Sequence, residues 1–349
     1  MNVADFDFDL PDQLIAQEPA TERGGSRLLV MDRATGRVAH HRFSDLPSFL
    51  RSGDVLVVND TRVFPARLLG IRMPGGGAAE CFLVHPAAEP DTWIALVHPG
   101  QRLHEGSRMR FEGAGRVLNA DVLARHFHGR RTVRLWTDDG SPVRETIDAI
   151  GHIPLPPYIK RPDTPSDRER YQTIYARERG SIAAPTAGLH FTPQLLDELD
   201  HRGVERATVT LHVGYGTFQP VRVDRVEDHH VESEHYEVTA ETAAALTRAR
   251  REGRRMIAVG TTTTRTLESL AVTPAGDVMA GAGETALFIH PGFEFKVVSG
   301  LITNFHLPKS SLLMLVSAFA GRDRVLGAYR QAIAERYRFY SYGDAMFIA

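Results

Sequence analysis

The sequence predicts an α/β main domain with an inserted small antiparallel β-barrel, and three observations predict it. Gly53-Asp-Val-Leu-Val-Val-Asn59 is a short apolar run of the kind buried on both faces of a sheet. From about Arg62 to Trp136 only short β-type runs occur, separated by turn chemistry and with no helical pattern between them. After that stretch, helical and strand patterns alternate in the α/β manner. The main domain is therefore expected to be discontinuous, residues 1–61 and 150–349, around a barrel of residues 62–149.

Taken in order, the first ten residues are acidic and lack the basic and apolar regions of a secretory signal, so the cytoplasm is the expected location. Barrel strands are expected at Phe64–Ile71, Glu80–Val84, Trp93–Val97, Arg116–Leu123 and Arg131–Trp136. Gly75-Gly-Gly77, Glu89-Pro-Asp91, Pro99-Gly100 and Asp138-Asp-Gly140 mark turns among them. Residues 160–170 are polar and carry two prolines, which predicts a mobile loop. Thr192 is placed to cap a helix with Pro193 at its first position, Leu195, Leu196 and Leu199 on one face and Gly203 as its stop. A strand over Val204–Val213, a helix over Thr239–Glu252 and a strand over Arg255–Gly260 follow. Thr261–Ser269 should open the next helix and Glu284–Ile289 the next strand. The longest apolar run, Leu312–Ala320, is about half of the ~20 residues a membrane span requires and reads as a buried element.

Composition excludes several classes. The 349 residues are 42 % hydrophobic and 24 % charged, an ordinary globular balance. A net charge of -2 and a pI near 6.8 leave no global nucleic-acid footprint, so such a partner must meet a local patch. Two patches exist: Arg125-His-Phe-His-Gly-Arg-Arg131 and the helical run Arg248, Arg250, Arg251, Arg254, Arg255. The single cysteine, Cys81, excludes an internal disulfide and any multi-cysteine metal site. Among sixteen histidines the densest cluster is Asp228-His229-His230, which lacks helical metal-ligand spacing, and no metal is expected.

Three segments set a histidine among glycine, threonine and proline: Ala183–Thr192, Leu211–Arg222 and Thr303–Pro308. They lack the period of a packed element but combine flexible backbone, hydroxyls and imidazole, which suits a small-molecule pocket. Gly214-Tyr-Gly216 is not a dinucleotide fingerprint, because Gln219 stands where the third glycine belongs. Gly260 lacks the second glycine and Lys-Ser/Thr pair of a phosphate-binding loop. Strand end and helix start nevertheless meet at Gly260-Thr261, where free amides could hold a carboxylate or phosphate, or where threonines simply cap the helix.

Eight ordered segments together carry a resemblance: Asn59–Arg67, Gly151–Ile159, Ala184–Phe191, His212–Arg222, Gly260-Thr-Thr, Thr303–Pro308, Leu313–Gly321 and Tyr337–Phe347. The chain resembles, nearly end to end, the S-adenosylmethionine:tRNA ribosyltransferase-isomerase family of queuosine biosynthesis. It departs mildly at Tyr215, Thr263-Thr264 and Ala78-Ala-Glu-Cys-Phe82. The resemblance implies transfer and isomerisation of the ribosyl part of S-adenosylmethionine onto the aminomethyl group of 7-aminomethyl-7-deazaguanine at the tRNA wobble position. Epoxyqueuosine in tRNA, adenine and methionine are the implied products.

That chemistry needs proton removal at the ribose 5' carbon and assisted loss of adenine. His190, His212 and His306 are the expected acid/base residues, with Asp60, Glu234 and Asp344 as carboxylate alternatives. Arg222 and Arg265 could hold the methionine carboxylate or be structural ion pairs. Phe191, Phe218 and Phe305 could stack on a base or belong to the core. Arg62, Thr186, Gly188, Gly214, Gly216, Thr217, Gln219, Thr261, Thr262 and Asn304 are expected to line the substrate site, and Arg250, Arg251 and Arg254 to touch tRNA. S-adenosylmethionine would be a substrate, no true cofactor is expected, and the chain is expected to be a monomer without a membrane partner. A methyltransferase would share the cosubstrate, and a non-catalytic RNA-binding module would explain the barrel and arginines but not the histidine segments.

Overall fold

The computed structural model describes residues 1–349. Along the chain, β1 (Arg27–Met31) and β2 (Val38–Arg42) form a hairpin, β3 (Val55–Asn59) is buried at every position, and β4 (Thr61–Val63) is short. The barrel follows as β5 (Arg67–Met73), β6 (Ala78–Pro86), β7 (Thr92–His98), β8 (Arg108–Gly113), β9 (Arg116–Arg125) and β10 (Arg130–Trp136). Helix α1 (Val143–Ile150) packs against β8 and β9. The remainder comprises α2 (Asp167–Arg170), β11 (Glu178–Ser181), α3 (Pro193–His201), β12 (Glu205–Leu211), β13 (Glu234–Val238), α4 (Ala240–Arg251), β14 (Met256–Val259) and α5 (Thr261–Ser269). Then come β15 (Gly281–Thr285), β16 (Gly300–Asn304), α6 (Ser311–Ala320), α7 (Arg322–Ala334) and β17 (Ala345–Ile348).

Nine strands make one mixed sheet in the order β15-β13-β12-β3-β14-β16-β17-β1-β2. Its centre, β12, β3, β14 and β16, is parallel. Side chains of β3 alternate between two cores, as a strand's period of two requires. Val55 and Val57 join α4 residues Ala243, Leu246 and Ala249, whereas Leu56 and Val58 join α3 residues Leu195, Leu196 and Leu199. Each such side chain contributes about 1.5–3 kcal/mol by leaving water. Thr192 and Thr239 cap α3 and α4 by accepting from the amides of Leu195 and Thr242 at 3.1 and 3.2 Å. The apolar run of α6 is buried in the main core, and no helix is long and apolar enough to cross a membrane.

The barrel closes with β10 between β9 and β7, and every strand pair in it is antiparallel. Three sequence expectations need correction. Strand β8 was not among the barrel runs, although Met109 and Phe111 point into the barrel core between charged neighbours. The strand expected from Phe64 starts at Arg67, because Pro65 has no N–H to give a ladder. The strand expected at Glu284–Ile289 ends at Thr285, where its pairing with Glu234 on β13 stops.

Residues 160–170 are anchored rather than free. Asp167 is fully buried and accepts from both terminal nitrogens of Arg161 at 2.7 and 3.0 Å, from the Thr164 amide at 2.8 Å and from the Tyr342 hydroxyl at 2.7 Å. Burial alone would raise its pKa, but the hydrogen bonds from Arg161 and Tyr342 outweigh it and hold the carboxyl well below the usual range. Asp167→Asn is expected to cost about 3 kcal/mol, because Arg161 loses its buried counter-charge and keeps only the exposed Glu18. Denaturant unfolding measures this, and a variant as stable as wild type would show that the segment is not fastened by this pair.

Candidate active site

A parallel sheet sends the carboxyl ends of its strands to one edge, and the glycine- and threonine-rich segments follow those ends. Val213 lies beyond β12, Gly260–Thr262 beyond β14, and Thr303–His306 at the end of β16. Ala183–Ala187, which follows β11, closes the wall. Together they line a cleft, to which Tyr158, Thr217, Phe218, Tyr340 and Ser341 contribute. A second, smaller lobe shares Thr217, Thr261, Thr262 and Leu312 with the first and adds Gly216, Glu234 and Arg265. Gly260 takes φ 93, a conformation that side chains resist, and turns the chain from β14 into α5 with the first helical amides at the cleft. Thr263 and Thr264 face back, donating to Val259 and Gly260 carbonyls at 2.7 and 3.0 Å.

The three histidines occupy different places. His306 lines the larger lobe, its Nε2 2.8 Å from the Thr303 hydroxyl, and burial pushes its pKa down to about 3. His190 sits behind the wall. Its Nδ1 is 2.7 Å from the Ser26 hydroxyl, its ring packs on Phe43 with centroids 4.9 Å apart, and burial pushes it down to about 4. His190 Nε2 and Asn304 Oδ1 are both buried without another partner, so an Nε2–H tautomer aimed at Asn304 satisfies both. The Asn304 amide nitrogen donates to the Tyr340 carbonyl at 2.8 Å, which fixes the orientation of that side chain. His212 turns away from the cleft to the Thr61 hydroxyl at 2.8 Å and stacks on His235. Its ring fills the space where a Cβ on Gly180 would stand, and burial lowers its pKa. All three imidazoles are thus neutral near pH 7.

The carboxylates divide similarly. Glu234 accepts from the Gly214 amide at 2.8 Å and from Arg265, whose other nitrogens donate to Leu287 and Thr285 carbonyls at 2.8 and 3.2 Å. Arg265 is therefore a structural ion pair at the lobe wall, not a free cation. Arg222, Gln219 and Arg62 are exposed and line neither lobe. Asp60 accepts from the Thr210 hydroxyl at 2.7 Å and borders a different depression with Glu178 and Glu237, and burial raises its pKa. Asp344 accepts from the amides of Arg27 and Arg338 at 2.9 and 2.8 Å, pinning the C-terminal turn, and burial raises its pKa too.

Of the aromatic candidates, Phe218 and Phe305 line the larger lobe and Phe191 does not. Phe191 is fully buried against Phe43, and Phe305 packs with Tyr329, Tyr337 and Phe339. Thr186, Thr217, Thr261, Thr262 and Asn304 line the larger lobe, while Gly188 lies beneath the Tyr175 hydroxyl. Sequence reasoning missed Tyr158, Tyr340 and Ser341, which form the floor: the two tyrosine rings stand 3.9 Å apart and the Tyr158 hydroxyl bonds Ser341. Tyrosine density in Tyr337-Arg-Phe-Tyr-Ser-Tyr342 was the available signal. The helical arginines are engaged: Arg251 with Asp277, Arg254 with Glu205 and Glu252, Arg250 with the Lys296 carbonyl. His229 packs edge-on against Phe288, and no group of three His, Cys, Asp or Glu side chains is placed to hold a metal ion.

A family model described as queuosine biosynthesis protein matches residues 3–348. Among solved structures, the chain is similar to the crystal structure of an S-adenosylmethionine tRNA ribosyltransferase from Thermotoga maritima, with 38 % identity and a TM-score of 0.56. That alignment covers 99 % of this chain and 100 % of the other.

Burial of His190 and His306 has a pH signature. Below about pH 6.5 the unfolded chain takes up a proton at each histidine, and the native chain does not until about pH 4 for His190 and about pH 3 for His306. Stability is expected to be whole above that window and to fall with acidification through it. Thermal melts between about pH 7.5 and about pH 4 should show a shallower decline for His190→Gln than for wild type. Identical slopes would mean that folding leaves the proton affinity of His190 unchanged.

Proposed function

We infer that this chain, which belongs to the queuosine biosynthesis protein family, is a ribosyltransferase-isomerase. It takes the ribosyl moiety of S-adenosylmethionine to the aminomethyl group of 7-aminomethyl-7-deazaguanine at the tRNA wobble position. Epoxyqueuosine forms in the tRNA, and adenine and methionine depart. S-adenosylmethionine serves as substrate, with no further cofactor, and the chain works as a cytoplasmic monomer. Residues 1–61 and 150–349 make the catalytic unit around the inserted residues 62–149.

One observation carries this reading: segments more than a hundred residues apart meet at one edge of a parallel sheet and line a two-lobed cleft of threonine hydroxyls and backbone amides. Its polar inventory supports the chemistry. The amides opening α5 suit the methionine carboxylate, replacing the arginines that are exposed or already paired. Hydroxyls of Thr186, Thr217, Thr262 and Thr303 can orient ribose and adenine. The sulfonium acidifies the protons on the ribose 5' carbon, and His306, the neutral imidazole that lines the cleft, is the acceptor in this reading. Glu234, at the second lobe, acts by holding Gly214 and Arg265 in place rather than by exchanging protons.

Methyl transfer from the same cosubstrate is the competing reading, and isotopes separate the two. Label in the ribose of S-adenosylmethionine is expected in tRNA bearing the aminomethyl base, while label in the methyl group leaves with methionine. Methyl label retained in tRNA, with S-adenosylhomocysteine as coproduct, would overturn the assignment.

A further inference from the structure

The stretch from Val122 to Thr137 contains four arginines and two histidines and no acidic residue. It forms the end of β9, the whole of β10 and the tip between them. At the tip Phe127 is 89 % exposed, more than any other large apolar side chain, and it stands between the exposed His126 and His128. The tip is built rather than loose. His128 and Gly129 take φ 57 and 79, and His126 Nε2 is 2.7 Å from the Thr132 hydroxyl. The buried Arg131 donates to the carbonyls of Leu103 and Gly100, both at 2.9 Å. Arg125 is exposed and has no ion-pair partner, in contrast to the paired arginines of α4.

Position adds to composition. Arg130 reaches across to Glu232, which lines the second lobe of the cleft. The tip is thereby tied to a residue of the second lobe, and Phe127 there is flanked by His126, His128 and the unpaired Arg125. A lone ring in a charged surround is too little apolar area for a protein or lipid partner, but it matches an unpaired nucleotide, which offers a π-face and a phosphate together. We propose that the β9–β10 tip is a stacking platform for an unpaired nucleotide flanking the base that enters the cleft, with Arg125 on the adjoining phosphate. The proposal rests on the tRNA reading above.

Fluorescence anisotropy with a labelled anticodon stem-loop tests it without requiring turnover. Phe127→Ala is expected to weaken binding roughly tenfold, Phe127→Trp to restore it, and Arg125→Gln to lower the salt slope by about one. Binding of a fully paired RNA hairpin stem should be unchanged in Phe127→Ala. Wild-type affinity of Phe127→Ala for the stem-loop, or equal loss on the paired stem, would overturn the stacking platform. Failure of the wild-type chain to transfer ribose would instead strike the proposed reaction, and the binding comparison would still decide the tip.

Discussion

A parallel sheet forces every connection between its strands back across a face, so that the carboxyl ends gather on one edge. In this chain that constraint assembles the site. Strand β3, buried on both faces, pairs with β12 on one side and β14 on the other, and the chain reverses direction across the sheet between them. Val213, Gly260–Thr262 and Thr303–His306 are far apart in sequence and neighbours in space for that reason. Altering the side chains of the edge would change the chemistry, whereas altering Val55–Val58 would remove the edge itself.

Within the cleft, electrostatics are settled by burial. The imidazoles at positions 190 and 306 are kept neutral because burial disfavours the charged form, and the charged pair Arg265–Glu234 is supported by further bonds to the Leu287 and Thr285 carbonyls and from the Gly214 amide. That pair ties α5, β13 and the Gly214–Phe218 turn into one unit. The result is a pocket of fixed dipoles and hydroxyls with little free charge. A cationic sulfonium would be the dominant charge in it, and proton transfer is then governed by the substrate as much as by the protein.

Much of this was legible in the sequence because it is local. Thr192 and Thr239 are read as caps from their neighbours alone, and the alternation of short strands with turn residues signals a barrel without any partner being known. The histidine segments read as poor core, yet Ala183–Phe191 and Thr303–His306 are almost wholly buried around the cleft. Long-range partners were not legible. Whether Phe191 and Phe305 stack on a ligand or fill a core depends on Phe43 and Tyr329, which no spacing connects to them. Whether Arg265 holds a ligand or forms an ion pair depends on Glu234, on another strand, which no spacing connects to it. Residues 160–170 looked mobile because their anchor, Tyr342, lies some 175 positions away.

If the carboxyl edge of the parallel strands holds S-adenosylmethionine, a crystal structure of the complex will show the ribose and sulfonium between Gly260–Thr262 and Thr303–His306, with the methionine carboxylate on the first amides of α5. Ligand bound instead in the depression bordered by Asp60 and Glu178, or against the barrel alone, would contradict that placement.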